Sequence, residues 1–305
     1  MNNPRPNLDL GARFTKPLPR WCRDLRDYWT LTKPEVNFLV LVSTLAGFHL
    51  AAHGHDNGVL LFHTLLGTLL VASGTATLNQ YMERRTDALM RRTSSRPLAA
   101  GRLRPSLALW YGLILSAAGG AELWLGVNPF TSALALLTLG SYLLFYTPLK
   151  RRTPLCTLVG AFPGAMPPLI GWAAVRNSLS LEAWLLYAIL FLWQFPHLLA
   201  IAWMYREDYA RAGLQMLPRN DRDGRATARR ILAFLLALVP VSLVPGLLGQ
   251  AGLAYLVGAG ILGIGFFLCG ARLAAARANA LAKQLLLASI VYLPLVYALW
   301  MVDKA

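Results

Sequence analysis

Long apolar segments and short polar segments alternate along most of the chain. Apolar segments such as Val59–Leu78, Leu107–Gly126 and Ile231–Gly249 are long enough to cross a hydrocarbon core of about 30 Å as helices. Nine such segments are predicted, at residues 36–52, 58–78, 106–126, 130–147, 155–175, 181–203, 230–248, 251–271 and 284–302. We therefore predict an all-α integral membrane protein in which residues 36–302 form one bundle of nine transmembrane helices.

Residues 1–35 differ from the rest of the chain because they are basic and contain no long apolar segment. Trp21, Tyr28 and Trp29 lie close together near their end, and aromatic side chains of this kind favour the headgroup level of a membrane. We predict a basic cytosolic tail that includes an interfacial helix around residues 21–32.

The fifth predicted span is interrupted by Pro163, Pro167 and Pro168. Proline removes a backbone donor, and within a bilayer the freed carbonyl groups must be satisfied by neighbouring helices or by a cavity. We therefore expect a broken helix here.

Composition supports a membrane environment. Hydrophobic residues make up 56% of the chain and charged residues only 14%, against about 25% charged in an ordinary globular domain. A net charge of +15 could indicate nucleic-acid binding in a soluble protein. Here the cations lie in the short gaps between apolar segments, and no basic soluble domain exists to carry such binding. Membrane lipid, and not nucleic acid, is the predicted partner.

The distribution of Lys and Arg predicts the orientation. All but two of the 29 lie in the tail or in the segments 79–105, 148–154, 204–230 and 271–283. The exceptions, Arg176 and Lys304, fall on the other side. The positive-inside rule places the N-terminus and the polar loops in the cytoplasm and the C-terminus outside.

A helix-spaced set of oxygen ligands follows the second span. Asn79, Glu83 and Asp87 are four residues apart, so on a helix their side chains drift by only about 40° per step and share one face. Mg²⁺ prefers such oxygen ligands, together with substrate phosphates. In the alternative interpretation, this is an ordinary solvated loop whose acids pair with neighbouring arginines.

Arginines follow this set closely. Arg91, Arg92 and Arg96 come within three turns of Asp87, and guanidinium groups suit diphosphate oxygens. A second acidic group, with Asp208, follows the sixth span at the same predicted membrane face. It suggests a second metal position across one cavity, or alternatively a solvated helix end.

A third polar group lies between the fourth and fifth spans. Lys150 could reach a phosphate as a point charge, with Arg151 beside it. Tyr146, four residues before Lys150, could offer its ring to a carbocation. The alternative is that these cations only set the membrane orientation.

Two polar side chains, Gln194 and His197, lie inside the sixth span beside Pro196. Polar groups at this depth indicate function. The histidine could ligand a porphyrin iron or move a proton. Alternatively, it could be bonded to a neighbouring helix.

Together these motifs resemble the UbiA superfamily of intramembrane prenyltransferases, in its haem-type branch. The resemblance covers about residues 30–300. It is carried by Leu78–Glu83, Asp87–Thr93, Arg96–Gly101, Tyr146–Thr153, Gly164–Trp172, Trp193–His197, Asp208–Gly213 and Met216–Pro218.

The resemblance implies a nine-helix bundle around a central cavity and a prenyltransferase domain over residues 36–302. It implies that Mg²⁺ held by Asn79, Glu83, Asp87 and Asp208 binds farnesyl diphosphate, with Arg91, Arg92, Arg96, Lys150 and Arg151 on the diphosphate. The farnesyl group would pass to the 2-vinyl group of haem b, with addition of water, to give haem O. Asp87, Lys150, Tyr146 and His197 are the expected catalytic residues.

The chain departs from the general pattern of the superfamily at two positions. Glu83 stands where that pattern has an aspartate. Ala212 stands four residues after Asp208, where the pattern has a second aspartate. The second departure weakens the expectation of two equivalent metal sites.

The resemblance also implies a multi-pass protein of a bacterial inner membrane, with haem A synthase or a second copy of the chain as candidate partners. Two alternatives stay open. One is a UbiA-type enzyme acting on a quinone precursor or a chlorophyll-like acceptor. The other is a haem transporter or assembly factor without catalysis.

Overall fold

The computed structural model describes residues 20–52, 57–218, 221 and 223–304, without the side chains of residues 20–22. The predicted tail before Arg20 and the side chain of Trp21 therefore lie outside the described residues. The helices are α1 (Arg20–Leu31), α2 (Pro34–Ala52), α3 (Gly58–Asp87), α4 (Pro105–Gly126), α5 (Pro129–Ser141), α6 (Thr147–Leu149), α7 (Cys156–Gly164), α8 (Pro167–Arg176), α9 (Leu181–Met204), α10 (Arg206–Arg211), α11 (Arg225–Leu247), α12 (Leu253–Ala276) and α13 (Asn279–Val302).

Nine membrane-length segments are present in the described part of the chain, which confirms the predicted all-helical membrane architecture. The fourth segment joins α5 to α6 through a π-helical turn at Tyr142–Tyr146, and the fifth joins α7 to α8. The proline-rich break predicted in the fifth segment lies between Gly164 and Pro167.

The main error in the predicted boundaries concerns α3, which continues for nine residues beyond the expected end at 78. Residues 79–87 are polar but contain neither glycine nor proline, so nothing interrupts the helical hydrogen bonding where the apolar pattern stops. At its other end α3 is capped by Asn57, whose side chain accepts from the backbone N–H groups of Val59 and Leu60. The result is a 30-residue helix whose last nine residues carry polar side chains beyond its apolar segment.

Close helix contacts hold α2 against α8 and α3 against α4. A Cβ on Gly171 of α8 would overlap the Thr44 carbonyl of α2, and one on Gly47 would overlap the Pro168 carbonyl. The second half of the bundle, α9 with α11–α13, packs around large buried side chains, including Tyr255, Tyr292 and Trp300.

Gln194 braces the broken fifth segment. Its amide nitrogen donates to the carbonyl oxygens of Ala161 in α7 (3.1 Å) and of Leu190 (3.2 Å). The side chain of Gln194 is 8% exposed, so both bonds are buried. Gln194 therefore links α9 to α7 beside the break, although the Ala161 carbonyl also accepts a helical hydrogen bond from the backbone N–H of Ala165.

The short helix α1 is fastened to the end of the bundle at which α3 ends. The Asp27 carboxylate accepts a forked pair of hydrogen bonds from Arg102, each of 2.9 Å. The carbonyl oxygen of Leu31 accepts from Gln80 of α3 at 2.9 Å. Trp29 is exposed, as expected for an interfacial side chain, but Tyr28 instead packs against the Tyr111 ring.

Candidate active site

The last two turns of α3 carry the centre of the candidate site. Asn79, Glu83 and Asp87 lie on one face, as predicted. Asn79 and Asp87 are each 1% exposed, and the Glu83 side chain is 13% exposed. Carboxylates so far from water need a close partner, and in this structure each has a cation.

Glu83 pairs with Lys150, which arrives from the end of α6. The Lys150 Nζ to Glu83 Oε1 distance is 2.8 Å, and the ammonium also lies 4.6 Å from the centre of the Tyr146 ring. Burial alone would lower the pKa of Lys150, but the adjacent Tyr146 and Glu83 raise it well above its ordinary value. The π-helical turn before α6 brings the Tyr146 ring and the ammonium together.

Asp87 pairs with Arg96 in the loop that follows α3. The distance from Arg96 Nη1 to Asp87 Oδ2 is 2.8 Å. The backbone carbonyl of Asp87 also accepts from the Thr93 hydroxyl at 2.9 Å. The chain therefore turns back on the helix end, and this turn holds the guanidinium of Arg96 beside the buried carboxylate.

Asn79 is held by Lys33, a residue that the sequence analysis counted only as a tail charge. Lys33 Nζ donates to Asn79 Oδ1 at 3.2 Å, and the Asn79 amide donates to the Thr147 hydroxyl at 3.1 Å. Burial, with the nearby cations Arg96 and Lys150, lowers the pKa of Lys33 to about 7. Lys33 also has a positive φ of 52°, which is uncommon for a residue other than glycine.

The second acidic residue, Asp208, is joined to the same loop. It is 7% exposed, and its Oδ2 accepts from the backbone N–H of Arg92 at 3.2 Å. Its other oxygen lies 3.2 Å from Arg211. The backbone N–H of Gln215 donates to the Lys150 carbonyl at 2.8 Å. Three loop segments are therefore joined by hydrogen bonds beside the end of α3.

The remaining predicted diphosphate ligands lie further out. Arg91 is exposed. Arg92 is also exposed, and its guanidinium lies over the Tyr205 ring at 5.1 Å and donates to the Tyr209 hydroxyl at 3.4 Å. Arg151 donates to Thr86. The structure thus gathers Lys33, Arg96 and Lys150 at the Asn79–Asp87 face of α3, brings Arg151 to Thr86 near the end of the same helix, and leaves Arg91 and Arg92 exposed.

In the described segments, no three His, Cys, Asp or Glu side chains stand close enough to hold a metal ion. The donor set is nevertheless of the right kind for Mg²⁺, because carboxylate and carboxamide oxygens share one helix face. A basic side chain already lies beside each of the four residues: Lys33 at Asn79, Lys150 at Glu83, Arg96 at Asp87 and Arg211 at Asp208. The metal assignment of these four residues stays a prediction. The acids pair with basic neighbours, as in the alternative interpretation, but Glu83 and Asp87 lie on a helix and are largely buried, so they do not form an ordinary solvated loop.

His197 lies apart from the charged cluster, within α9. Its ring stacks on Trp193 with the ring centres 4.7 Å apart. Its Nδ1 lies 2.7 Å from the Ser289 hydroxyl of α13. Nδ1 therefore makes a hydrogen bond to a neighbouring helix, as in the alternative interpretation.

Known proteins resemble this chain over nearly all of its length. The chain is 52% identical to a protoheme IX farnesyltransferase of Solibacter usitatus (strain Ellin6076), over 92% of this chain and 99% of that protein. It is 45% identical to a protoheme IX farnesyltransferase of Koribacter versatilis (strain Ellin345), over 94% and 96%.

The fold is similar to that of solved membrane proteins. A digeranylgeranylglyceryl phosphate synthase matches with a TM-score of 0.76 at 17% identity, over 92% of this chain and 98% of that one. A UbiA homologue from Archaeoglobus fulgidus bound to DMAPP and Mg²⁺ matches with a TM-score of 0.66 at 15% identity, over 90% and 98%. The family model for UbiA prenyltransferases matches residues 40–292. The chain belongs to the UbiA prenyltransferase family.

Proposed function

We propose that the chain transfers the farnesyl group of farnesyl diphosphate to the 2-vinyl group of haem b, with addition of water, to give haem O and diphosphate. The observation that carries the proposal is the cluster of Lys33, Arg96 and Lys150 around the oxygen-bearing face of α3. It sits at the end of a membrane-spanning helix, where an apolar chain and a charged diphosphate can both be accommodated. The high identity to two protoheme IX farnesyltransferases supports the choice of acceptor and prenyl donor.

The three cations are suited to take up the charge that leaves with diphosphate. Each now binds an oxygen of α3, and each could turn by side-chain rotation towards a diphosphate placed beside that helix. Stabilising charge as it develops on the leaving group is commonly the largest contribution to catalysis of this kind. Mg²⁺ held by Asn79, Glu83, Asp87 and Asp208 would add neutralisation of the bound diphosphate.

Tyr146 is suited to protect the allylic cation formed as the C–O bond lengthens. Its ring is 8% exposed and already lies against a cation, the Lys150 ammonium. The face of an aromatic ring attracts positive charge. The bond from the vinyl carbon to the farnesyl carbon then forms. Water adds to the cation left on the other vinyl carbon and releases a proton.

The proposed organisation places residues 1–35 as a cytosolic tail with an interfacial helix and residues 36–302 as the prenyltransferase domain. The site then lies at the cytoplasmic face of a bacterial inner membrane, where farnesyl diphosphate and Mg²⁺ are available. Haem A synthase and a second copy of the chain stay predicted partners.

The deciding experiment is a product assay with the purified protein. Haem b, farnesyl diphosphate and Mg²⁺ are incubated with the protein in detergent, and we expect haem O by mass spectrometry. Parallel reactions contain an aromatic quinone precursor or a chlorophyll-like acceptor in place of haem b. Prenylation of one of these without haem O would overturn the proposed acceptor. No product from any acceptor would favour the non-catalytic alternative.

Asp87→Asn tests the role of the α3 carboxylates. We expect kcat to fall at least about 100-fold, the scale of losing one charge-stabilising group at a reacting centre. The asparagine oxygen can still accept a hydrogen bond from Arg96, so the protein should fold and insert, but losing one charge of this buried pair should lower its thermal stability. Asp223→Asn, on an exposed loop carboxylate, is the matched control and should leave kcat unchanged. Full activity of Asp87→Asn would reject the assignment.

A further inference from the structure

A second polar centre lies inside the bundle, away from the α3 cluster. It consists of His197 in α9 and Ser289 in α13. His197 lies seven residues before the end of α9, and Ser289 lies ten residues after the start of α13. At 1.5 Å per residue, both are roughly 10–15 Å from the cytoplasmic ends of their helices. The proposed role of the α3 cluster does not use this pair.

The hydrogen bonds of Ser289 determine which nitrogen of His197 carries the proton. The Ser289 hydroxyl donates to the carbonyl oxygen of Leu286 at 2.6 Å. A serine hydroxyl has one proton to donate and can still accept. At the 2.7 Å contact with His197, Nδ1 must therefore be the donor. The neutral ring then has an unprotonated Nε2 with a free lone pair.

The orientation of the ring is fixed from two sides. Trp193 stacks on it at 4.7 Å, and the Trp193 indole N–H donates to the Ser289 carbonyl at 2.8 Å. The same serine thus binds both aromatic side chains. The described residues place no hydrogen-bond partner on Nε2, and the side chain is only partly buried. Nε2 is a positioned, unpaired acceptor at membrane depth.

An isolated imidazole of this kind suits one class of ligand. In the part of the chain that the structure describes, it has no group of further His, Cys, Asp or Glu side chains with which to hold a free metal ion. An iron already held by four porphyrin nitrogens needs only one axial ligand from the protein. Histidines that ligate metals characteristically donate their other ring N–H to a fixed partner, as Nδ1 does here.

We propose that Nε2 of His197 is the axial ligand of the haem b iron, and that Ser289 is the positioning residue that fixes its tautomer and orientation. This inference rests on the proposed function, since it assigns the place where the acceptor substrate binds. The coordinate bond forms from the imidazole lone pair to the iron, so no proton or electron is exchanged with the protein. The bond fixes the macrocycle within the span while leaving its vinyl edge free to react.

The test is a spectroscopic titration of ferric haem b into the full-length protein in detergent. Wild type should give the Soret and visible bands of an imidazole-ligated haem. His197→Ala should lose them, and added imidazole should restore them. The affinity for iron-free protoporphyrin IX should be the same in both proteins, because that molecule offers no iron to ligate.

Ser289→Ala tests the positioning role. We expect haem affinity to fall about 10- to 100-fold, the usual effect of removing the partner of a metal-bound histidine. Ser289→Thr should restore it, and the affinity for farnesyl diphosphate should not change. Ser242→Ala is the matched control, because Ser242 is also a buried serine that bonds a helix carbonyl and an aromatic side chain. It should leave the haem spectrum unchanged.

Three outcomes would overturn the inference. They are an unchanged haem spectrum in His197→Ala, a loss that imidazole does not restore, and equal losses in Ser289→Ala and Ser242→Ala. If wild type still makes haem O in those cases, only the inference fails. If wild type binds haem through His197 but makes no haem O, the inference stands and the proposed function fails.

Discussion

Pairs of opposite charge at the end of α3 are a residue-scale feature with a large energetic consequence. Glu83 with Lys150 and Asp87 with Arg96 are mostly shielded from water. In such a pair, the cost of removing the charges from water is met only while both partners are present. Lys150 and Arg96 are therefore positioned at the oxygen-bearing face of α3, and each of the two carboxylates has a cation as its partner.

Lys150→Met should destabilise the protein by about 3 kcal/mol, because it leaves the Glu83 carboxylate buried without its cation. The double variant Lys150→Met/Glu83→Gln should recover most of that loss. Equilibrium unfolding in mixed detergent measures both. Arg225→Met, which breaks an exposed pair with Asp223, is the control and should cost less than about 1 kcal/mol. Equal stability of the single and double variants would contradict the argument.

Lys33→Met should weaken the binding of a non-hydrolysable farnesyl diphosphate analogue about 10- to 100-fold, which corresponds to one lost hydrogen bond to a charged group. Lys33 is the cation already placed on Asn79. The measurement is the thermal shift caused by the analogue with Mg²⁺. Arg23→Met, on the exposed side of α1, should bind as wild type does. Unchanged affinity of the Lys33 variant would exclude Lys33 from the site.

The chemistry of α3 could be predicted from the sequence because helical spacing alone puts Asn79, Glu83 and Asp87 on one face. Their cations could not all be predicted. Lys33 reaches Asn79 because α1 is held against α3 by Gln80 and against the following loop by Asp27 and Arg102. These tertiary contacts have no local sequence pattern. Arg91 is close to Asp87 in sequence but is exposed at the surface, and no local pattern predicts this difference.

At the scale of the elements, the nine spans were predictable because a run of apolar residues needs no partner to identify it. The end of α3 could not be predicted in this way, because the first polar residues after an apolar segment mark the membrane surface and not the end of the helix. The crossing of α2 and α8 was also not evident. It depends on two glycines, Gly47 and Gly171, whose meaning appears only when the facing carbonyl groups are known.

Gly171→Ala should destabilise the protein by about 1–3 kcal/mol, because the new methyl group meets the backbone of α2 and the helices must separate. Thermal unfolding in detergent measures the loss. Gly265→Ala is the matched control: Gly265 is also interior to a span, but nothing lies within 4 Å of a Cβ built on it. The control should change stability by no more than about 1 kcal/mol. Similar effects of both would argue against close packing at the α2–α8 crossing.

At the scale of the whole molecule, the cytoplasmic orientation rests on charge counting. In a cysteine-free background, Ser94→Cys in the loop after α3 and Ser178→Cys after α8 place single exposed thiols at opposite ends of the bundle. A membrane-impermeant maleimide should label only Ser178→Cys in intact spheroplasts and only Ser94→Cys in inverted vesicles. The reverse pattern would invert the proposed topology.

The three loop segments joined beside the end of α3 have a consequence for turnover. The contacts between Asp208 and Arg92, and between Gln215 and Lys150, cover the end of α3. Diphosphate is water-soluble and would have to leave past them. We therefore predict that departure of this product, and not bond cleavage, limits the steady-state rate. Rapid-quench measurements should show a burst of haem O in the first turnover. A linear first turnover in wild type would mean that the cover opens freely.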